Sequence, residues 1–124
     1  MQLIDLFDRG VGYGPEAPCL VEPGGRTLAY RQVQDLSYRI ANGLVASGIG
    51  RDSKVGLLSA NHLLTFAAIL GIVRSPGVWL PVDARNAPEE NVNILARGGC
   101  EFLFLHSQFA GQLHGIWKEL VLGH

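Results

Sequence analysis

At 124 residues, the chain is long enough to bury a real core but holds one domain rather than two. Ten basic and eleven acidic residues, a formal net charge of −1 and no long charge run exclude the electrostatic footprint of a nucleic-acid binder or of a protein drawn to an anionic membrane. Charged residues make up 17% of the chain, against about 25% in an average domain, so either the domain is apolar and complete or further protein covers part of its surface.

Targeting and redox chemistry are equally spare. Met1 to Asp8 lacks a basic stretch followed by an apolar one, so it is no secretory signal. The longest apolar run, Leu63 to Val73, falls short of the roughly 20 residues that span a bilayer, and a cytoplasmic protein without a membrane span is expected. Cys19 and Cys100 form neither a disulfide framework nor a metal-ligand pair and are expected to be buried, inert thiols.

Leu3, Ile4, Leu6 and Phe7 begin a short amphipathic helix. Gly10-Val11-Gly12-Tyr13-Gly14-Pro15 follows, with Pro18 soon after. Alternating glycines suggest a nucleotide loop, but that fingerprint needs a strand before it and a helix after it; the segment reads instead as a flexible connector. Cys19-Leu20-Val21 and Thr27-Leu28-Ala29 flank Glu22-Pro23-Gly24-Gly25, a turn in which proline presets φ and glycine supplies φ > 0. A β-hairpin is predicted.

From Arg31 to Ser47 the apolar residues Val33, Leu36, Ile40 and Leu44 recur at helical spacing, and Gly48 is the expected stop. Lys54 to Leu58 reads as a strand. Asn61 is placed to cap a helix from Leu63 to Arg74, whose apolar residues Leu64, Phe66, Ile69, Leu70 and Val73 surround much of its circumference and predict deep burial. Val78-Trp79-Leu80 is a second strand stopped by Pro81, with Trp79 expected in the core. Ala87-Pro88-Glu89-Glu90 opens a helix with proline and acids in its first turn; Val92 and Leu95 face inward, and Gly98-Gly99 ends it. Phe102 to Leu105 is a third strand, after which Ser107 caps a last helix holding Leu113, Ile116, Trp117 and Leu120. Continuous apolar strands alternating with helices predict an α/β fold: a largely parallel sheet with helices on both faces, preceded by the hairpin.

Little in the sequence carries chemistry. There is no G-x-x-x-x-G-K-[ST], H-E-x-x-H or G-x-S-x-G motif. His62, His106, His114 and His124 have no ligand spacing with acids or cysteines. His106 follows a strand end, where α/β proteins place functional groups, and reads as a loop donor or a catalytic group. Asp83 and Arg85 also follow a strand, and read as a local ion pair or helix-entry contact, or as a ligand or partner contact. No catalytic, cofactor-binding or metal residue is assigned.

Three stretches carry a resemblance. Thr27-Leu28-Ala29-Tyr30-Arg31-Gln32-Val33 is similar to an L-T-Y-x-E-L hairpin-to-helix entry. Lys54-Val55-Gly56-Leu57-Leu58-Ser59-Ala60-Asn61 is similar to R-V-A-L-L-L-P-N, and Val73 through Asp83 to L-K-A-G-x-x-Y-x-P-L-[DN]. In register over roughly Leu3 to Phe109, they resemble the N-terminal region of the adenylate-forming superfamily: acyl- and aryl-CoA ligases, peptide-synthetase adenylation domains and luciferases. The sequence departs from the pattern at Ala29, which stands where a capping Thr is usual and leaves Gln32 as half a capping box, and at Pro76, which stiffens the turn. Trp79-Leu80-Pro81-Val82 with Arg85-Asn86 looks more like CoA ligases than peptide synthetases.

The resemblance implies a parent enzyme using ATP, Mg and CoA, in which a carboxylate attacks the α-phosphate of ATP and the CoA thiol then displaces AMP from the acyl-adenylate. The family's Ser/Thr/Gly-rich phosphate loop ending in Pro-Lys-Gly, its ribose-binding acid and its C-terminal lysine do not occur between Met1 and His124. Residues 1–124 are therefore expected to be a single N-terminal subdomain, truncated before the phosphate loop and inactive alone. Its expected partners are the remainder of the parent ligase and, through exposed apolar surface, another copy of itself. The alternative is a non-enzymatic interaction or dimerisation module on the same fold, or a piece of a peptide-synthetase adenylation domain.

Overall fold

A computed structural model of the protein describes residues 3–22, 24–59, 64–105 and 107–112. The elements in order are α1 (Leu3–Tyr13), β1 (Pro18–Val21), β2 (Thr27–Ala29), α2 (Tyr30–Ala46), β3 (Lys54–Leu58), α3 (Thr65–Arg74), β4 (Val78–Pro81), α4 (Pro88–Arg97) and β5 (Cys100–Leu105), followed by a 3₁₀ turn at Ser107–Gln112. They gather into two compact units. One draws on the chain up to Gly48 and on α3 as far as Ser75; the other draws on the chain from Ile49 through β3 and from Pro76 onward.

In the first unit, α1 overturns the expected flexible connector, since it runs unbroken through Gly10 and Gly12 to Tyr13. Helical spacing explains this: Phe7 and Val11, four residues apart, are both buried, and Ile4 packs against the same cluster. That apolar stripe outweighs two interior glycines, each costing roughly 0.5–1 kcal/mol relative to alanine. The helix ends at Gly14, whose N–H donates to Gly10 O at 3.2 Å. β1 and β2 pair antiparallel across the expected turn, in which Gly25 N–H donates to Glu22 O at 3.0 Å and Gly24 sits at φ 72°. Helix α2 buries Val33, Ser37, Ala41 and Leu44 and stops before Gly48 at φ 96°, the left-handed position that favours glycine. Where α3 crosses α2, Gly71 is required: a Cβ there would collide with the Ile40 side chain and lie 3.2 Å from Ser37 O.

In the second unit, β3 is central in a three-stranded parallel sheet of order β4-β3-β5. Val55, Gly56, Leu57 and Leu58 are buried at four successive positions, as a continuous apolar run predicts. Trp79 departs from expectation, being 38% exposed. It lies on β4, an edge strand among the described residues, and the covering that surrounds a central parallel strand does not extend to it. β4 also includes Pro81, because an edge strand tolerates a residue without an N–H donor. Helix α4 starts with proline at its head and acids in its first turn. Leu95 is fully buried, and Val92 packs on the same cluster with Leu58, Leu80 and Leu103.

The expected α3 cap at Asn61 lies outside the described residues, as does the last helix beyond Gln112. The helix itself begins at Thr65 and buries Ala67, Ala68, Leu70, Gly71 and Ile72, while Leu64, expected inside, is exposed. Cys19 and Cys100 are half-buried rather than buried.

Candidate functional site

Parallel register brings the carboxyl ends of β3, β4 and β5 to one edge of the sheet, with Leu57 opposite Pro81 and Leu58 opposite Leu105. In open α/β sheets this is the edge at which ligands bind. The loop leaving β4 carries its polar groups. Arg85 N–H donates to Asp83 Oδ1 at 2.8 Å, and the guanidinium grips the same carboxylate through Nε (3.1 Å) and an NH2 group (2.8 Å). The side-chain bond from Arg85, reinforced by its backbone N–H, holds the Asp83 carboxyl down at about 2. The local ion pair that the sequence offered for Asp83 and Arg85 is thus present, on an exposed loop.

A residue missed by sequence reading fixes this loop. Asn91, fully buried on α4, donates through Nδ2 to Asp83 O at 3.0 Å and accepts at Oδ1 from Asn86 Nδ2 at 3.2 Å. Its position four before Leu95 puts both on one helix face, the signal that could have found it.

The first unit holds a second polar centre. Arg74, at the end of α3, makes a bidentate pair with Asp8 of α1 (3.0 and 2.7 Å) and donates through Nε to Ser37 Oγ at 3.1 Å. Its guanidinium also lies 3.9 Å from the centroid of the Tyr38 ring, a cation–π geometry, while Gln34 Nε2 donates to Asp8 Oδ1 at 3.1 Å. The bond from Arg74 lowers the Asp8 carboxyl below its ordinary value, against the opposing effect of burial. No local spacing could announce a pair 66 residues apart. Beside α1, Leu3, Leu6, Phe7 and Gly10 line one side of an apolar groove of about 470 Å³, with Cys19 on the other side. Burial pushes both the Cys19 and Cys100 thiols up, which fits inert thiols rather than nucleophiles.

These groups do not make a reaction centre. A general base near neutrality needs a pKa near the working pH, and Asp83 is far from it. Among the described residues no cluster of three or more His, Cys, Asp or Glu could hold a metal ion. A triphosphate requires converging N–H donors and cationic charge. The cation on the loop leaving β4, Arg85, pairs with Asp83, and the groove beside α1 is mainly apolar. His62, His106, His114 and His124 lie outside the described residues.

The architecture, a hairpin followed by three helix–strand units closing a parallel sheet, is that of the N-terminal domain of adenylate-forming enzymes. A solved anthranilate CoA ligase, AuaEII in complex with anthranoyl-AMP, superposes with a TM-score of 0.88 at 23% identity, over 96% of this chain and 23% of that one. Residues 7–121 match the family described as AMP-binding enzyme, and the chain belongs to that family. Among curated relatives, surfactin synthase subunit 1 of Bacillus subtilis is 36% identical over 110 residues, which cover 89% of this chain and 3% of that protein. A medium/long-chain-fatty-acid–CoA/3-oxocholest-4-en-26-oate–CoA ligase of Mycolicibacterium smegmatis is 27% identical over 92% of this chain and 19% of its own length. The chain thus spans only a small fraction of the proteins it matches.

Proposed function

We propose that the chain is the N-terminal subdomain of an AMP-forming acid–thiol ligase, and that by itself it supplies scaffold rather than catalysis. The parent activates a carboxylate with Mg-ATP to an acyl-adenylate and passes the acyl group to a thiol. Relatives named as CoA ligases and as peptide synthetases both lie close. The wording after β4 favours CoA as the acceptor and a fatty or aryl acid as the substrate. A soluble, cytoplasmic setting fits this reading, as does the fact that no described helix is long and apolar enough to cross a membrane.

One observation carries the scaffold reading. At the carboxyl edge of the sheet, polar groups on the loop leaving β4 pair with one another: Arg85 with Asp83, and Asn91 with Asp83 O and the Asn86 amide. Such an edge buttresses a neighbouring site without containing one. The test is acid-dependent ATP–pyrophosphate exchange by the chain, with amino acids, fatty acids and aryl acids each supplied as substrate. The expected result is no exchange above background with any of them, and clear exchange with any one refutes the scaffold reading.

A further inference from the structure

Helix α1 is held differently from the helices it packs on. It buries Phe7 and Val11 alone, where α3 buries five residues in succession or near it, and it leaves Leu3 and Leu6 about half exposed. Two glycines lie within it, and neither is demanded by packing: a Cβ at Gly10 would make ordinary contact with Tyr30 at 4.0 Å, and one at Gly12 would meet nothing. Each weakens the helix severalfold relative to alanine. The apolar groove along its flank means that one side of its seat is not filled by protein. Asp8 ties the helix to its neighbours, gripped by Arg74 of α3 and Gln34 of α2.

Releasing α1 would not strand its partner. Arg74 keeps the Ser37 hydroxyl and the face of Tyr38, both on α2, while Asp8 passes into water. The usual penalty for separating a partly buried ion pair, an uncompensated charge left behind, is therefore small on the Arg74 side.

We infer that α1 is a latched, separately opening element: it detaches as a unit while α2 and α3 stay packed, and the Asp8–Arg74 pair is the latch. Opening removes the α1 wall of the groove and bares the seat of Phe7 and Val11, leaving an apolar surface that includes Leu20 and Phe66 and freeing the Arg74 guanidinium from Asp8. Local openings of this kind draw on elements with few buried contacts and weak intrinsic propensity, and α1 has both.

Hydrogen exchange of the whole chain under native conditions, read by mass spectrometry or NMR, tests this. Backbone amides of α1 are expected to exchange at least tenfold faster than the protected amides of α2 and α3. Asp8→Asn is expected to speed α1 exchange by a further factor of about ten, with α1 still exchanging ahead of α2. Gly10→Ala, which the space at that position accepts, is expected to slow α1 by about three- to fivefold, and it keeps the test decisive if Asp8→Asn fails to fold. Alkylation of Cys19 gives a second readout, rising with α1 opening relative to Cys100 in the same sample. Exchange of α1 in step with α2 in the wild-type chain overturns the inference, as does the absence of any Gly10→Ala effect on α1.

Discussion

Buried polar side chains set the stakes at the scale of single residues, because each must be satisfied where it sits. Asn91 spends its amide on the β4–α4 loop, so Asn91→Ala takes the acceptor from the Asn86 amide and leaves Asp83 O with the Asn86 backbone N–H at 3.0 Å as its donor. The expected cost is about 1–3 kcal/mol, read as a lower midpoint in chemical denaturation. The Asp83–Arg85 pair should persist in that variant, since its contacts are two residues apart. Asp8 links the same logic to pH. Its folded pKa lies below the ordinary 3.8, so the stabilisation it gives is complete above that value and disappears as pH falls through the lowered one. Stability measured by denaturation is expected to be level from neutrality to about pH 5 and to decline below about pH 4. Asp8→Asn should lose about 1–2 kcal/mol at neutral pH, a modest figure because the carboxylate side chain keeps 31% of its surface in solvent, and should show a shallower acid decline.

At the scale of elements, caps and periodicity decide what forms. Helix α2 begins with half of a reciprocal cap: Ala29 N–H donates to Gln32 Oε1 at 2.8 Å, but alanine returns nothing to the Gln32 N–H that a threonine cap would take, while the Tyr30 and Arg31 N–H groups donate to Ala17 O and Pro15 O. Ala29 is extended, at φ −74° and ψ 160°, a conformation that threonine adopts readily. Ala29→Thr completes the box and is expected to stabilise the protein by about 0.5–1 kcal/mol, seen as a rise in thermal midpoint; no rise would show that the first turn is satisfied by other means. Elements governed by local pattern were legible in the sequence, as with the Val33–Leu44 stripe of α2, the turn at Gly24 and the proline-headed start of α4. Two readings failed because they judged segments without their neighbours. The glycines of α1 were weighed without the Phe7–Val11 stripe that overrides them, and Trp79 was assigned to the core without knowing that β4 lies at a sheet edge. Asp8 and Arg74 escaped notice because long-range partners leave no mark on local spacing.

For the whole molecule, the family was legible because its three motifs combine local structure with fixed separation: a hairpin-to-helix entry, a central buried strand, and a strand-end loop. Activity is less legible, since a binding site for nucleotide or acid needs groups that converge from separate parts of a fold and leave no mark on local spacing. Titrating Mg-ATP into the chain while following its amide NMR resonances asks whether the scaffold holds a triphosphate site. No saturable shifts are expected up to millimolar nucleotide, at the loop leaving β4 or elsewhere. Saturable, stoichiometric shifts centred on Asp83, Arg85 and Asn86 would contradict the scaffold reading.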